Sequence, residues 1–525
     1  VNTQLQPFTP PVSVRVGLLE GYERVTFRYT GRYRIETRSG ELLREADASQ
    51  LKWRVLREKS TPTKFLFSVL VASFTTREEA MTLAEQFEDR GLQAAMRQIG
   101  GPIEIDGQII GDNTLYRVQV GNFQIEEDAR HLLAKLELDY APRLVREVLT
   151  QSSGRLEMFD QSLEQHYEST DGFRLVPVEP ESRLTILGVR MNSGFAYEPT
   201  EDRTYEGMIE FYVDHEGDIA ALTEIPIDVY LRGVVATEMP VDYPEEALRA
   251  QAIASRSLVI ATKSIKHLND PFELCAHVHC QVYSGVTYEN PTVTKAVTDT
   301  RGNILFNNGI VVDAHYSKVC GGHTEDVLAT WMTPPVYAGK GVPCDCTGEM
   351  EVPDLMTESG ARRWIQSRPK SSCNLDGVDL PVSRAYGRKH FRWETTLLRS
   401  ELEEIILTKT GVDIGMLYDI LPIRRGRSGR LMEVEVLGSL ANLRIKRELR
   451  IRRQLSHTAL ESSSFLVEVL TDSQGNPMEL VFTGAGWGHG VGMCQAGAAQ
   501  MASRGMNALQ ILVHYYPDCI VEKKY

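Results

Sequence analysis

Three groups of residues in this sequence are suited to chemistry: one glutamate beside a helix stop, a cysteine–histidine cluster, and a run of alternating glycines. Glu238 precedes Met239-Pro240. Asp228 can cap a helix running from Val229 to Met239, which Pro240 stops, so Glu238 sits on its last turn. The negative end of a helix disfavours charge on a carboxyl, and burial against a second helix disfavours it further. A carboxyl kept neutral in this way is what a general acid needs near neutral pH. An exposed helix-end glutamate would have the same local sequence, so the letters alone leave both roles open.

The run Cys275-Ala276-His277-Val278-His279-Cys280 packs two thiols and two imidazoles together, and His267 lies just upstream. Zinc takes thiolate and imidazole ligands in tetrahedral array. His267, Cys275, His279 and Cys280 make such a set, with His277 as the substitute. Four protein ligands would close the site, making the zinc structural rather than a water activator. The alternative is a Cys275–Cys280 disulfide with surface histidines. Cys320, Cys344, Cys346 and Cys373 form a second group, for which a metal site and disulfides both remain open.

The segment Gly484-Ala-Gly-Trp-Gly-His-Gly-Val-Gly-Met-Cys-Gln495 alternates glycine almost strictly. It is no phosphate loop, since no Gly-Lys-Ser/Thr follows, and it lacks the context of a dinucleotide fingerprint. Alternating glycine lets an extended segment lie flat against another backbone or a sugar. Trp487 can stack on a pyranose ring; tight packing against the core would leave the same pattern.

These groups need elements to hold them. Pro244, Glu245 and Glu246 start a second helix that reads through Leu258, rich in Ala and Ser, so that other elements can approach it closely. Residues 12–37 alternate in the strand manner, a small β module. An internal repeat follows. Phe67-x-Val69-x-Val71 and then Ala80, Leu83, Ala84 and Phe87 recur 49 residues later as Tyr116-x-Val118-x-Val120 and Ala129, Leu132, Leu133 and Leu136. Two β-α-β halves on one sheet are the natural solution. Helices on one face would leave Ser68, Leu70, Ala72, Arg117, Gln119 and Gly121 on an open second face, with Gln119 suited to hydrogen-bond a sugar. Residues 151–182 are polar and irregular, a linker, and strands resume at Arg183. The chain has 525 residues, with 57 Lys+Arg against 71 Asp+Glu, a net charge of −14. That balance argues against a general nucleic-acid binder. No apolar run is long enough to span a membrane.

The stretch from Tyr230 to Pro240, the helix Ala247–Arg256, Cys275 to Tyr283, Thr300-Arg301-Gly302, Ala314 to Thr324, Gly484 to Ala498 and His514-Tyr-Tyr-Pro517 together resemble the stage II sporulation protein D and amidase-enhancer family. Val69 to Phe74 and Tyr116 to Phe123 resemble the sporulation-related repeat (SPOR) domain, which binds peptidoglycan glycan strands stripped of stem peptides. The resemblance implies a lytic transglycosylase with Glu238 as acid/base, Arg256 and Tyr316 as its partners, and Gln281, Trp487 and His489 along the substrate groove. It also implies a zinc in the Cys275–Cys280 region. Arg256 can equally be a structural ion-pair partner and Tyr316 a plain strand residue. Cys494 and Ala496 depart from the family pattern, which has serine and an aromatic there.

The expected architecture is α+β and multidomain: a mixed, β-rich catalytic domain with packed helices, plus a ferredoxin-like βαββαβ repeat domain. The boundaries read as 1–60 for a β module joined to the catalytic domain, 65–150 for the repeat domain, 151–182 for the linker and 183–525 for the catalytic domain. Implied partners are denuded peptidoglycan strands and a cell-wall amidase, outside the cytoplasm, with a leader removed before Val1. A zinc hydrolase is the weaker rival, because no His-Glu-x-x-His signature is present.

Overall fold

A computed structural model describes residues 12–525 apart from 48, 137, 139–141, 192–198, 332–338, 379–384 and 386. Two sheets form the scaffold. The first runs in the order Leu274–Cys275, Ser13–Tyr22, Ile219–Pro226, Met208–Val213, Phe173–Pro177, Tyr33–Thr37 and Leu42–Ala46. The second runs His166–Ser169, Ser153–Asp160, Ser49–Thr61, Arg24–Thr30, Arg183–Arg190 and Thr200–Tyr205. Alternation puts Phe27, Val55 and Met158 of the second sheet in one buried core with Leu175 and Phe211 of the first. The Phe27 and Phe211 rings sit 5.3 Å apart.

Residues 151–182 are therefore not a linker. They hold three strands, Ser153–Asp160, His166–Ser169 and Phe173–Pro177. Their charged outward side chains hid an inward set, Leu156, Met158, Phe173 and Leu175, each fully buried.

The repeat domain interrupts the second sheet. Thr61 pairs directly with Ser153, so the domain grows from the tip of an antiparallel strand pair. Its sheet runs Arg143–Thr150, Lys64–Phe74, Leu115–Phe123, Ala94–Ile99, every pair antiparallel. Helices Arg77–Glu88 and Glu126–Lys135 cover one face, sealing Val69, Val71, Phe87, Val118 and Val120. The second face is not open. Ser68, Leu70, Ala72 and Gln119 are all buried. Arg117 Nη2 donates to the Ile265 carbonyl (3.2 Å), and the Gly100 N–H donates to Ser264 O (3.0 Å). A hairpin, Pro102–Ile105 with Gln108–Asp112, pushes Ile103 and Ile105 into the main core and clamps the domain in this position.

Behind the first sheet lies a layer of helices around Glu245–Ala261, in which nearly every residue is buried. Ile227–Glu238, Pro291–Asp299, Gln495–Ser503 and Ala508–Tyr515 all pack on it. The small side chains of that helix are what permit so many close neighbours. Residues 183–525 also hold more than one core. Leu402, Ile406, Leu417, Val434, Ile451 and Phe482 belong to a separate hydrophobic cluster built from the strands and helices between Arg392 and Ala485.

Asn113 is the main polar tie between the repeat domain and the scaffold. Its side-chain amide donates to Ala261 O (2.9 Å) and Lys263 O (2.8 Å), and its oxygen accepts the Gly101 N–H (2.9 Å). Asn113→Ala should cost about 1–3 kcal/mol, because buried carbonyls lose their donor. Denaturant unfolding checks this. Unchanged stability would mean that the docked arrangement contributes nothing in solution.

Candidate active site

Glu238 ends the helix Ile227–Glu238, and its side chain is 12% exposed. Two donors hold its carboxylate. The Val282 N–H reaches Oε1 at 3.0 Å. The Lys318 ammonium lies 3.4 Å from Oε2 and also donates to the Glu238 main-chain carbonyl. Gly233 makes the first contact possible. A Cβ there would lie 2.4 Å from the Gly285 carbonyl and 2.6 Å from the Tyr283 ring. The mid-helix glycine thus lets the loop after Cys280 lie against the glutamate helix.

Lys318 was not singled out from the sequence, although a signal existed. In an extended segment residues two apart share a face, so Lys318 follows Tyr316 onto the side that looks at Glu238. Burial, and then the nearby Glu238 charge, push the Tyr316 phenol well above its ordinary value. Its hydroxyl donates to Gln281 Oε1 (2.9 Å).

Gln281, expected to bind substrate, is buried and turns its amide to Ser255 O (3.4 Å). It orients Tyr316 and has no surface to offer a sugar.

Arg256 does not join Glu238. It is fully buried, and its donors are spent on Asp228 Oδ1 (2.8 and 3.2 Å) and on the carbonyls of Val297 (3.3 Å), Thr300 (2.9 Å) and Asn303 (3.4 Å). Asp228, expected to cap the glutamate helix, lies instead within its first turn, and its side chain makes no cap. It takes the Arg256 ion pair because a buried guanidinium needs a counter-charge more than a helix end needs a cap. Asp228 and Glu238 are ten residues apart, about 15 Å along the helix, so Arg256 anchors the end opposite the candidate acid.

The glycine run follows a turned path. Gly486, Gly488, Gly490 and Gly492 all have positive φ, between 69° and 96°, and a Cβ at Gly492 would lie 1.9 Å from the His315 carbonyl. The run lies against protein rather than open space. Met493 and Cys494 pair in parallel with Tyr316 and Ser317. Trp487 is half-buried and stacks on His390 at 4.2 Å. His489 Nδ1 accepts the Val491 N–H (3.0 Å), and burial, then His315, hold the ring well below its usual pKa, hence neutral. Gln119 is far from this region in the fold, on the covered face of the repeat domain.

The four expected metal ligands do converge. One ligand atom from each of His267, Cys275, His279 and Cys280 lies within 4.8 Å of the others. His267 Nε2 is 3.3 Å from Cys280 Sγ, and His279 Nδ1 is 3.6 Å from Cys280 and 3.8 Å from Cys275. Asp270 Oδ2 binds His267 Nδ1 (2.8 Å), fixing the ring with Nε2 toward the thiols, the outer-shell arrangement of metal-ligating histidines. Burial opposes protonation of His267, but Asp270 and Cys280 together push it up to about 9. Hydrogen bonds from Cys275, His267 and His279 pull the Cys280 thiol far below its ordinary value, and the same pairing pushes Cys275 up.

Comparison with known proteins agrees with the motif reading. Residues 215–306 match the family model described as Stage II sporulation protein, and residues 63–146 match the SPOR domain. Residues 382–492 match a domain of unknown function. The chain is 26% identical over 342 residues to an uncharacterised protein of Brachyspira hyodysenteriae, covering 63% of this chain and 78% of that protein. It is 25% identical over 305 residues to the Amidase enhancer of Bacillus subtilis, covering 55% of this chain but only 39% of that relative. To the Stage II sporulation protein D of Bacillus amyloliquefaciens it is 24% identical over 310 residues, covering 56% and 74%. The sporulation-protein match includes Glu238, Arg256 and the Cys–His loop; Tyr316, Lys318 and the glycine run lie beyond it.

Because Arg256 is anchored inside the helical layer, Arg256→Met should lower the unfolding free energy by about 3–5 kcal/mol, the cost of stripping one partner from a buried ion pair. Chemical denaturation reads this directly. A variant of wild-type stability that loses only catalysis would place Arg256 at substrate instead.

Proposed function

We propose that this protein is a lytic transglycosylase that cleaves peptidoglycan glycan strands lacking stem peptides, with Glu238 as acid and base. The observation that carries the reading is the setting of Glu238: a nearly buried carboxylate whose hydrogen-bond and ion-pair partners among the described residues are a backbone N–H and a lysine, neither of them a second carboxylate. Hydrolytic glycosidases pair two carboxyl groups, one of which activates water or attacks the sugar. A transglycosylase needs one. Glu238 gives its proton to the leaving O4 as the C1–O4 bond breaks. The 6-hydroxyl of the same muramyl residue attacks C1, closing a 1,6-anhydro ring, and its proton returns to Glu238. No water is consumed, and the nucleophile is already tethered to the reacting sugar. Lys318 stabilises the carboxylate in the interval, and Tyr316, fixed through Gln281, would hydrogen-bond the ring substituents.

His267, Cys275, His279 and Cys280 suit zinc in donor type and convergence. A zinc there would be a structural staple on the loop that supplies the Val282 N–H. The strand order of residues 64–150 supports the ferredoxin-like βαββαβ reading, and the SPOR match supports glycan binding and an extracytoplasmic site of action. Gln119 does not serve that binding while its face is covered by the scaffold.

One observation favours a second reading. A matched relative is an amidase enhancer, so this chain would bind wall and stimulate an amidase without cutting sugar. Glu238→Gln separates the two. It keeps an acceptor for the Val282 N–H but delivers no proton. A transglycosylase should lose cleavage of denuded strands by ~10²-fold or more, with anhydro ends vanishing from the product mass spectrum. Wild-type product without anhydro ends would indicate hydrolysis, and full amidase stimulation by the variant would favour the enhancer role.

A further inference from the structure

A second set of sulfur atoms meets outside the Cys–His loop. Cys320, Cys344, Cys373 and Cys494 come from four separate segments, and all four are buried. Their Sγ atoms lie within 4.8 Å of one another, with Cys320 and Cys373 at 3.6 Å. We propose that these four thiolates bind one zinc ion in a closed tetrahedral site that fixes the segment bearing Lys318 to the glycine run.

The geometry suits a single ion. Zinc–thiolate bonds of about 2.3 Å in a tetrahedron put neighbouring sulfurs about 3.8 Å apart. Two disulfides would draw the sulfurs into two pairs, whereas here all four close on one point. Cys346, the other member of the Cys-x-Cys pair, takes no part; its sulfur faces Ser372 (3.8 Å) and Arg504 (3.7 Å).

The surroundings suit thiolates. The Cys320 N–H points at Cys494 Sγ (3.3 Å), the Tyr515 hydroxyl lies 3.1 Å from Cys344, and the Ser371 hydroxyl 3.5 Å from Cys373. Cys494 stands at the N-cap of the helix Gln495–Ser503, where the helix dipole favours a thiolate. Four thiolates and one zinc carry two negative charges, and two cations bracket the Cys320 peptide. Arg430 Nη1 donates to Cys320 O (3.2 Å), and Arg392 Nη1 donates to Gly321 O (3.0 Å). Backbone space is reserved as well: a Cβ on Gly497 would lie 2.6 Å from Cys344 Sγ. The departure from the family pattern at Cys494 is then the fourth ligand.

Binding releases the remaining thiol protons to solvent and changes no oxidation state, so no redox partner is required. The site also has a structural consequence. Lys318 lies two residues before Cys320, and Ser317 pairs with Cys494, so the ion ties the segment bearing Lys318 to the start of the C-terminal helices.

The test is metal content of the full chain, purified without chelator and measured by elemental analysis. Cys373→Ser and Cys344→Ser should each lose one zinc per chain relative to wild type, while Cys346→Ser and Cys519→Ser should lose none. Cys280→Ser reports on the other cluster and should leave this ion in place. With cobalt substituted in the Cys280→Ser chain, the absorption should be that of an all-thiolate tetrahedral ion. Alkylation of folded wild type with and without chelator, mapped by peptide mass, gives a readout that needs no variant: Cys320, Cys344, Cys373 and Cys494 should become reactive on removal of this ion. Zinc content unchanged by Cys373→Ser, or an unreduced wild-type mass lighter by the hydrogens of disulfides among these four, would overturn the proposal.

Discussion

The buried guanidinium of Arg256 is the contact on which the rest of the centre depends. A fully buried cation is tolerable only if every donor is matched and the charge is offset. Here the offset comes from two helix ends at once. Asp228 lies in the first turn of the glutamate helix, and the carbonyls of Val297 and Thr300 belong to the C-terminal end of Pro291–Asp299, where the helix dipole is negative. One cation therefore locks two helices onto a third. The glutamate helix leaves that lock as a stiff rod, and Glu238 rides on its far end.

What happens at that far end follows from small residues. The helix Glu245–Ala261 carries Ala and Ser where neighbours come close, and two of its buried polar side chains, Gln251 and Ser255, face one another. Gln495 Nε2 donates to Gln251 Oε1 (3.1 Å), and Gln251 Nε2 to Ser255 Oγ (2.9 Å). Gln281 Nε2 donates to the Ser255 carbonyl (3.4 Å), and Gln281 Oε1 accepts from the Tyr316 hydroxyl (2.9 Å). A buried hydrogen-bonded chain of this kind restrains the side chains it links. Tyr316 is thus set by the same helix that Arg256 anchors.

Much of this was legible in the sequence. The glutamate helix, its proline stop and the small-residue helix are local signals, and they read correctly. So did the repeat and the convergence of His267, Cys275, His279 and Cys280. What failed was whatever needed knowledge of the opposite side. Arg256 and Gln281 have the side chains of ligand-binding residues, and only burial shows their donors and acceptors spent on protein. The glycines read as extended, but their positive φ values turn the run into a packed scaffold. The strands at 153–177 alternate with charges on their outer face, so their buried positions were masked by polar composition. The face bearing Gln119 looked free because the hairpin that clamps it, 102–112, is irregular in sequence and carries only two buried isoleucines.

The two interruptions of the scaffold differ in how they meet the centre. The repeat domain leaves and re-enters beside a single strand pair, and its Asn113 is tied to carbonyls at the end of one helix. The unit between Arg392 and Ala485 contributes inside the centre. Its Arg430 is fully buried and donates to Gly488 O (3.3 Å), to Cys320 O (3.2 Å) and to Ser428 Oγ (3.0 Å). Ser428 in turn donates to the buried carboxylate of Glu325 through its N–H (3.1 Å) and hydroxyl (2.6 Å). Without Arg430 the carbonyls of Cys320 and Gly488 would lose their side-chain donor, and without Ser428 the buried Glu325 would keep only the Asp326 N–H (2.8 Å), at a cost of about 1–3 kcal/mol for each group left short. This second unit has its own hydrophobic core, yet it is a structural part of the site, because the polar groups it satisfies lie on the segments that carry Lys318 and the glycine run.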